Sequence, residues 1–187
     1  MKSRKAAAMI AAAVMLDGSM EAGRTPDRGP VEIARAAEAR DFPFLRGPIL
    51  GCSTDMLESA IKASWSAETS GCRPSSIYRD YMDMNPSLGQ CVPTALVIQD
   101  YRGGALIISR FHLFYDEYHL FNRLDDGTFS DLTRLQFRRR PYPRGITLSA
   151  PEEIDRRRVL TRAGNLDRYV RLRCKVDDAL ERMLRRT

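Results

Sequence analysis

The chain is short of the residues that build the commoner catalytic centres. It has two histidines, His112 and His119, and four cysteines, none of them spaced as Cys-x-x-Cys. That pattern excludes a zinc ribbon and a thioredoxin-type redox motif, so neither a metal nor any other cofactor is expected. Cys52, Cys72, Cys91 and Cys174 allow two disulfides in a secreted protein, but the cysteines are read as those of a reduced, cytoplasmic chain with one reactive thiol. No apolar run approaches the roughly 18 residues that cross a bilayer, which argues against stable membrane insertion. Aromatic residues are only 8% of the sequence, with a single tryptophan. No RNA-binding signature with stacking aromatics is present, and there is no internal repeat.

What is present is one domain's worth of chain: 187 residues, 43% apolar, enough to bury a core. The net charge of +6 is unevenly spread, because "RRRPYPR" and the stretch from Arg156 to Arg186 hold much of the arginine. A basic tail points to an anionic partner, with Arg156, Arg157 and Arg158 as candidate contacts; the ordinary alternative is a solvated helix face. The N-terminal "MKSRK" and "AAAMIAAAVML" have the basic start and apolar core of a leader. The following "DGSMEAG" lacks a convincing cleavage site, so an Ala-rich helix packing on the domain is the preferred reading.

Residues 1–50 read as that helix or leader plus an irregular lead-in, with a short helical piece at "VEIARAAEA", and residues 51–187 as a single α+β domain. A helix is predicted at "STDMLESAIKASWS", capped by Ser53, with Met56, Leu57, Ile61 and Trp65 at helical spacing. "GCRPSSIYRDYMDMNPSLG" reads as a long loop. A second helix is predicted from Cys91 to Tyr101, with Pro93 in its first turn and Gly103-Gly104 ending it. "ALIISRFHLF", "YHLFNRL" and "TFSDLT" then read as three strands, the last two joined by a hairpin at Asp125-Asp126-Gly127. From Pro151 the chain returns to a basic helix, with Leu166, Tyr169, Leu172, Val176, Leu180 and Leu184 as its apolar stripe. Helices, then strands, then helix argue for an antiparallel sheet.

Cys91 is the residue this order singles out for chemistry. A cysteine at a helix N-terminus meets the positive end of the macrodipole, which favours the thiolate. The adjoining backbone amides, beginning with that of Cys91, can serve an oxyanion, and Gln90, Asn85 or Asn122 can add a side-chain donor or support. Acyl transfer by cysteine also needs a base and a group that orients it. In a tight hairpin the strand carrying Asp131 returns beside the one carrying His119, which places a carboxylate near that imidazole; His112 has only Asp116 and Glu117 nearby, in the turn expected between the first two strands. Each residue alone has an ordinary explanation: a buried thiol, a satisfied histidine, a cap. Cys, His and Asp in that order on helix start, strand and adjacent strand are harder to explain so.

"SWS" at Ser64 to Ser66, "NPSLGQCVPTALVIQDYRGG" at Asn85 to Gly104, "YHLFNRLDDG" at Tyr118 to Gly127 and "DLTRLQF" at Asp131 to Phe137 resemble the YunG-like proteins of bacteria. The resemblance covers Leu57 to Phe137, with a weaker helical similarity at "NLDRYVRL". More distantly, the pattern is similar to the transglutaminase-like fold, which includes arylamine N-acetyltransferases and papain-like amidases. That likeness implies Cys91 as nucleophile, His119 as base and Asp131 as orienting acid. The expected activity is acyl transfer through a thioester, either hydrolysing an amide or ester or forming an amide on an amine. Trp65 and Tyr118 are the candidate substrate contacts, and the substrate is a small-molecule or peptide acyl donor, carrier- or RNA-bound if the basic tail serves it. The alternative function is a non-catalytic module that binds nucleic acid or a protein through the basic helix.

Overall fold

The computed structural model describes residues 48–72, 76–112, 116–138 and 147–186. The Ala-rich start, the "VEIARAAEA" piece and most of "RRRPYPR" lie outside them. The described residues form an α+β fold of five helices and a four-stranded antiparallel sheet.

Helix α1 is Thr54–Ser64, and Ser53 caps it by accepting the Met56 amide at 3.2 Å. Its buried face, Leu57, Ala60 and Ile61, repeats at helical spacing. Helix α2, Ser76–Met84, overturns the long loop expected between Gly71 and Gly89. The Pro, Gly and Ser residues at either end of this stretch hide the pairs Ile77/Tyr81 and Tyr78/Met82, whose i,i+4 spacing suits a short amphipathic helix. Helix α3 is Cys91–Arg102, and Gly103 ends it at φ 69° with its amide on the Gln99 carbonyl. That left-handed conformation is one a side-chain-bearing residue adopts only with strain.

Strands β1 (Ala105–His112) and β2 (Asp116–Arg123) pair antiparallel, with Ser109 opposite His119. β3 (Phe129–Ser130) returns beside β2 through the turn at Asp125 to Gly127. β4 is Glu152–Ile154, on the other edge of β1, giving the order β3-β2-β1-β4. It corrects the reading that Pro151 and Glu152 open the C-terminal helix. Asp155 starts a new element instead, capping α4 (Arg156–Leu160) by accepting the Arg158 amide. Gly164 at φ 72° then separates α4 from α5, Asn165–Leu184.

Side chains alternate along a strand, so Leu106 and Ile108 of β1 and Leu120 of β2 share one face. They bury against α1, α3 and α5 through Ile61, Leu96, Val97, Leu172, Val176 and Leu180. The opposite face carries Ile107, Ser109 and His119, which are buried as well. Both faces of β1 and β2 are therefore covered. A polar tie reinforces the helical side: Asp100 on α3 accepts from Arg156, from Arg173 and from the Tyr169 hydroxyl, at 2.6–2.8 Å.

Candidate active site

Helix α3 begins at Cys91, and no side chain caps it. The segment leading into it is held by close packing. Gly89 sits at φ +69°, and a Cβ there would collide with Ser70 and Cys72. Its carbonyl accepts the Gly71 amide at 2.7 Å. The loop after α1 is thus pressed against the turn that delivers the cysteine, and only glycine fits between them.

His119 and Asp131 come together. The imidazole is fully buried, and its Nε2 lies 2.8 Å from Asp131 Oδ2, with the carboxylate side chain 13% exposed. Burial alone would push the imidazole pKa down; the hydrogen bond to Asp131, with Cys91 acting on the same ring, outweighs it and raises the value to about 9. Cys91, His119 and Asp131 therefore form one electrostatic group. His112 stands at the far end of β1, opposite Asp116.

The supporting residues are placed as follows. Gln90 is fully buried; its Oε1 accepts from Thr69 at 2.9 Å and its Nε2 donates to the Ser66 carbonyl at 2.8 Å. Asn85 accepts from Ser87 at 2.8 Å and donates to the Gln136 carbonyl at 3.1 Å. Asn122 lies on the sheet face away from His119 and donates to the Ala95 carbonyl at 2.9 Å, tying α3 to β2. All three side chains brace the elements that carry the catalytic-type residues. The Cys91 and Val92 amides are the donors at the start of α3 that no side-chain cap engages; Pro93 has no N–H, and the Thr94 amide donates to the Gln90 carbonyl.

At the level of the whole chain, the family model for YunG protein matches residues 53–181. The chain belongs to the YunG family. No curated protein and no solved structure matches it.

The region matched in this YunG-family chain takes in all of α1 to α4 and the whole sheet, together with most of α5. Trp65 donates from its indole to Thr94 Oγ1 at 2.9 Å, within the first turns of α3, and lines a cavity of about 270 Å³ with Ser66, Lys175, Asp178 and Arg182. Tyr118 packs on the core and carries the Arg162 guanidinium 4.6 Å over its ring, on the face of β2 away from His119. The three candidate partner-binding arginines separate. Arg156 bonds Asp100, Gln99 and the Leu96 carbonyl and lies over Tyr169, so it joins α3, α4 and α5, whereas Arg157 and Arg158 are exposed. Much of the remaining basic charge on α5 and at its C-terminal cap is paired: Arg171 with Asp167, Arg173 with Asp100 and Asp177, Lys175 with Glu68, Arg185 with Glu181.

Sequence reasoning missed Gln136. It lies on a 3-10 turn, Arg134–Arg138, and is 2% exposed. Its Nε2 is 3.1 Å from His119 Nδ1 and its Oε1 accepts the Gly89 amide at 3.3 Å. Phe121 and Phe137 also flank the imidazole, with centroids 5.6 and 4.8 Å away. "DLTRLQF" contained both Gln136 and Phe137, but a single glutamine in a short polar stretch carries no periodic signal.

Among the described residues no helix is long and apolar enough to cross a membrane, and no cluster of His, Cys, Asp or Glu has the makings of a metal site.

Proposed function

We propose that this YunG-family protein is a Cys–His–Asp acyl-transfer enzyme. The observation that carries the reading is the buried imidazole held at 2.8 Å by Asp131 while Cys91, at the start of α3, acts on the same ring. With Nε2 committed to Asp131, Nδ1 is the nitrogen that holds the thiol proton in a Cys91 thiolate–His119 imidazolium pair, which the raised imidazole pKa favours. The thiolate attacks a carbonyl carbon, first-turn amides of α3 support the oxyanion, and the imidazolium returns the proton to the leaving group as the thioester forms. Water or an amine then takes the acyl group, giving hydrolysis or amide formation. The likeness to transglutaminase-like and papain-like proteins belongs to this reading. So does a small-molecule or peptide acyl donor, for which the hollow beside Trp65, lined also by Lys175, Asp178 and Arg182, is the candidate approach.

The experiment is a panel of activated esters, thioesters and anilides given to wild-type, Cys91→Ala and His119→Ala protein. Turnover lost in both variants with their folding intact supports the reading, and turnover unchanged in Cys91→Ala contradicts it. A binding module using the basic helix is the second reading, and the exposed Arg157 and Arg158 favour it. Nucleic-acid binding that survives Cys91→Ala and falls steeply with salt would support it.

A further inference from the structure

Gln136 faces both the base and the turn that delivers the nucleophile. Three contacts fix it: its Oε1 takes the Gly89 amide, its Nε2 faces His119 Nδ1, and its own carbonyl takes the Asn85 side chain. The Gly89 contact decides which way the amide points. A backbone N–H needs an acceptor, so the glutamine oxygen faces Gly89 and the NH₂ faces the ring. An N–H aimed at Nδ1 is a hydrogen bond only while Nδ1 keeps its lone pair. Nε2–H then donates to Asp131, and the ring is the neutral Nε2–H tautomer. When Nδ1 gains a proton, two donors face each other and the contact becomes repulsive.

We propose that Gln136 is a positioning residue that favours the neutral Nε2–H form of His119 and opposes the thiolate–imidazolium pair. For turnover this rests on the triad reading above. When the Cys91 S–H bond breaks and an Nδ1–H bond forms, the Gln136 contact is lost. When that proton moves on to the leaving group, as the carbonyl–leaving-group bond breaks and the thioester remains, the contact forms again. Gln136 thereby opposes the transfer from the thiol and favours the later one, from the imidazolium to the leaving group.

The groups that titrate against this ring are Asp131, from the turn after β3, and Cys91, from the start of α3; both draw it toward imidazolium. Gln136 is the neutral group that acts against them. Its replacement therefore has an effect that loss of packing alone does not produce.

The test is a ¹⁵N titration of the histidine rings in the full chain, which has only two. In wild-type protein above the His119 midpoint, a through-hydrogen-bond coupling between the Gln136 amide nitrogen and Nδ1 is expected, with the ring proton on Nε2; the coupling disappears below the midpoint. Gln136→Met keeps the bulk without the donor and should raise the midpoint by about one pH unit. Gln136→Glu keeps an acceptor for Gly89, sets a carboxylate against Nδ1, and should raise it further. A neutral ring protonated on Nδ1, an absent coupling, or a midpoint unmoved or lowered in a cooperatively melting variant overturns the proposal. Should neither variant fold, the wild-type coupling and tautomer decide it. None of these readings needs turnover, so failure of the acyl-transfer reading would show separately, in the ester panel.

Discussion

Replacing Asp131 with asparagine should change how the stability of the protein depends on pH, and the size of that change can be worked from His119. The imidazole is fully buried, and its pKa is raised from 6.5 to about 9 against the opposing effect of burial. At about 1.4 kcal/mol per pH unit between these values, the charged ring contributes up to about 3 kcal/mol. Because the folded value lies above the unfolded one, this contribution is complete below pH 6.5 and is lost as pH rises through 9. The asparagine amide keeps an oxygen for Nε2 but removes the charge, so the part of the contribution that Asp131 supplies against burial disappears, while that of Cys91 remains. The gap between wild-type and Asp131→Asn protein should therefore be widest near pH 6 and shrink by up to about 3 kcal/mol by about pH 10. In melting temperature that is roughly 6 to 12 °C for a chain of this size. Thermal melts of both proteins in matched buffers at intervals across that pH range measure it. A gap that stays constant throughout would refute the argument that Asp131 stabilises a charged His119.

Gln90→Ala should lower stability by about 1–3 kcal/mol, because it removes two hydrogen bonds, to the buried Thr69 hydroxyl and the half-buried Ser66 carbonyl; a large loss of turnover with unchanged melting would instead make Gln90 an oxyanion donor. Iodoacetamide near neutral pH should alkylate Cys91 before Cys174, although Cys174 is exposed, since burial together with Asp177 and Asp178 pushes the Cys174 thiol up; peptide mapping with time gives the order. Arg156→Ala should cost about 2–4 kcal/mol, measured by denaturant unfolding, because it leaves Asp100 with a partner missing. Arg157→Gln with Arg158→Gln should leave stability within about 0.5 kcal/mol of wild type and, if these residues capture an anionic donor, raise the Michaelis constant and flatten its salt dependence.

The elements with strong local signals were legible in the sequence. Ser53 before an apolar repeat, Pro93 in a first turn and Gly103 at a C-terminus are each a local device, and each stands where its chemistry implies. The hairpin at Asp125 to Gly127 likewise put Asp131 close enough to His119 to bond it. Helix α2 was hidden because its flanking Pro, Gly and Ser residues outweighed a single pair of turns. β4 was hidden because three residues on a sheet edge have no period of their own, and their pairing with β1 is a long-range fact. Gln136 and the roles of Gln90, Asn85 and Asn122 are also tertiary. A buried amide's partners depend on which segments are folded against it, which is why the bracing contacts of these residues have no signal in the sequence.

The proposed chemistry depends above all on Cys91 being a nucleophile served by His119. The most direct measurement is intact-protein and peptide mass spectrometry after brief exposure to p-nitrophenyl acetate, a small activated ester. One acetyl group is expected, on Cys91 alone, forming quickly in wild-type protein, slowly in Asp131→Asn, and not detectably in His119→Ala. Acetylation spread over Cys52, Cys72, Cys91 and Cys174 according to exposure, at the same rate with and without His119, would contradict it.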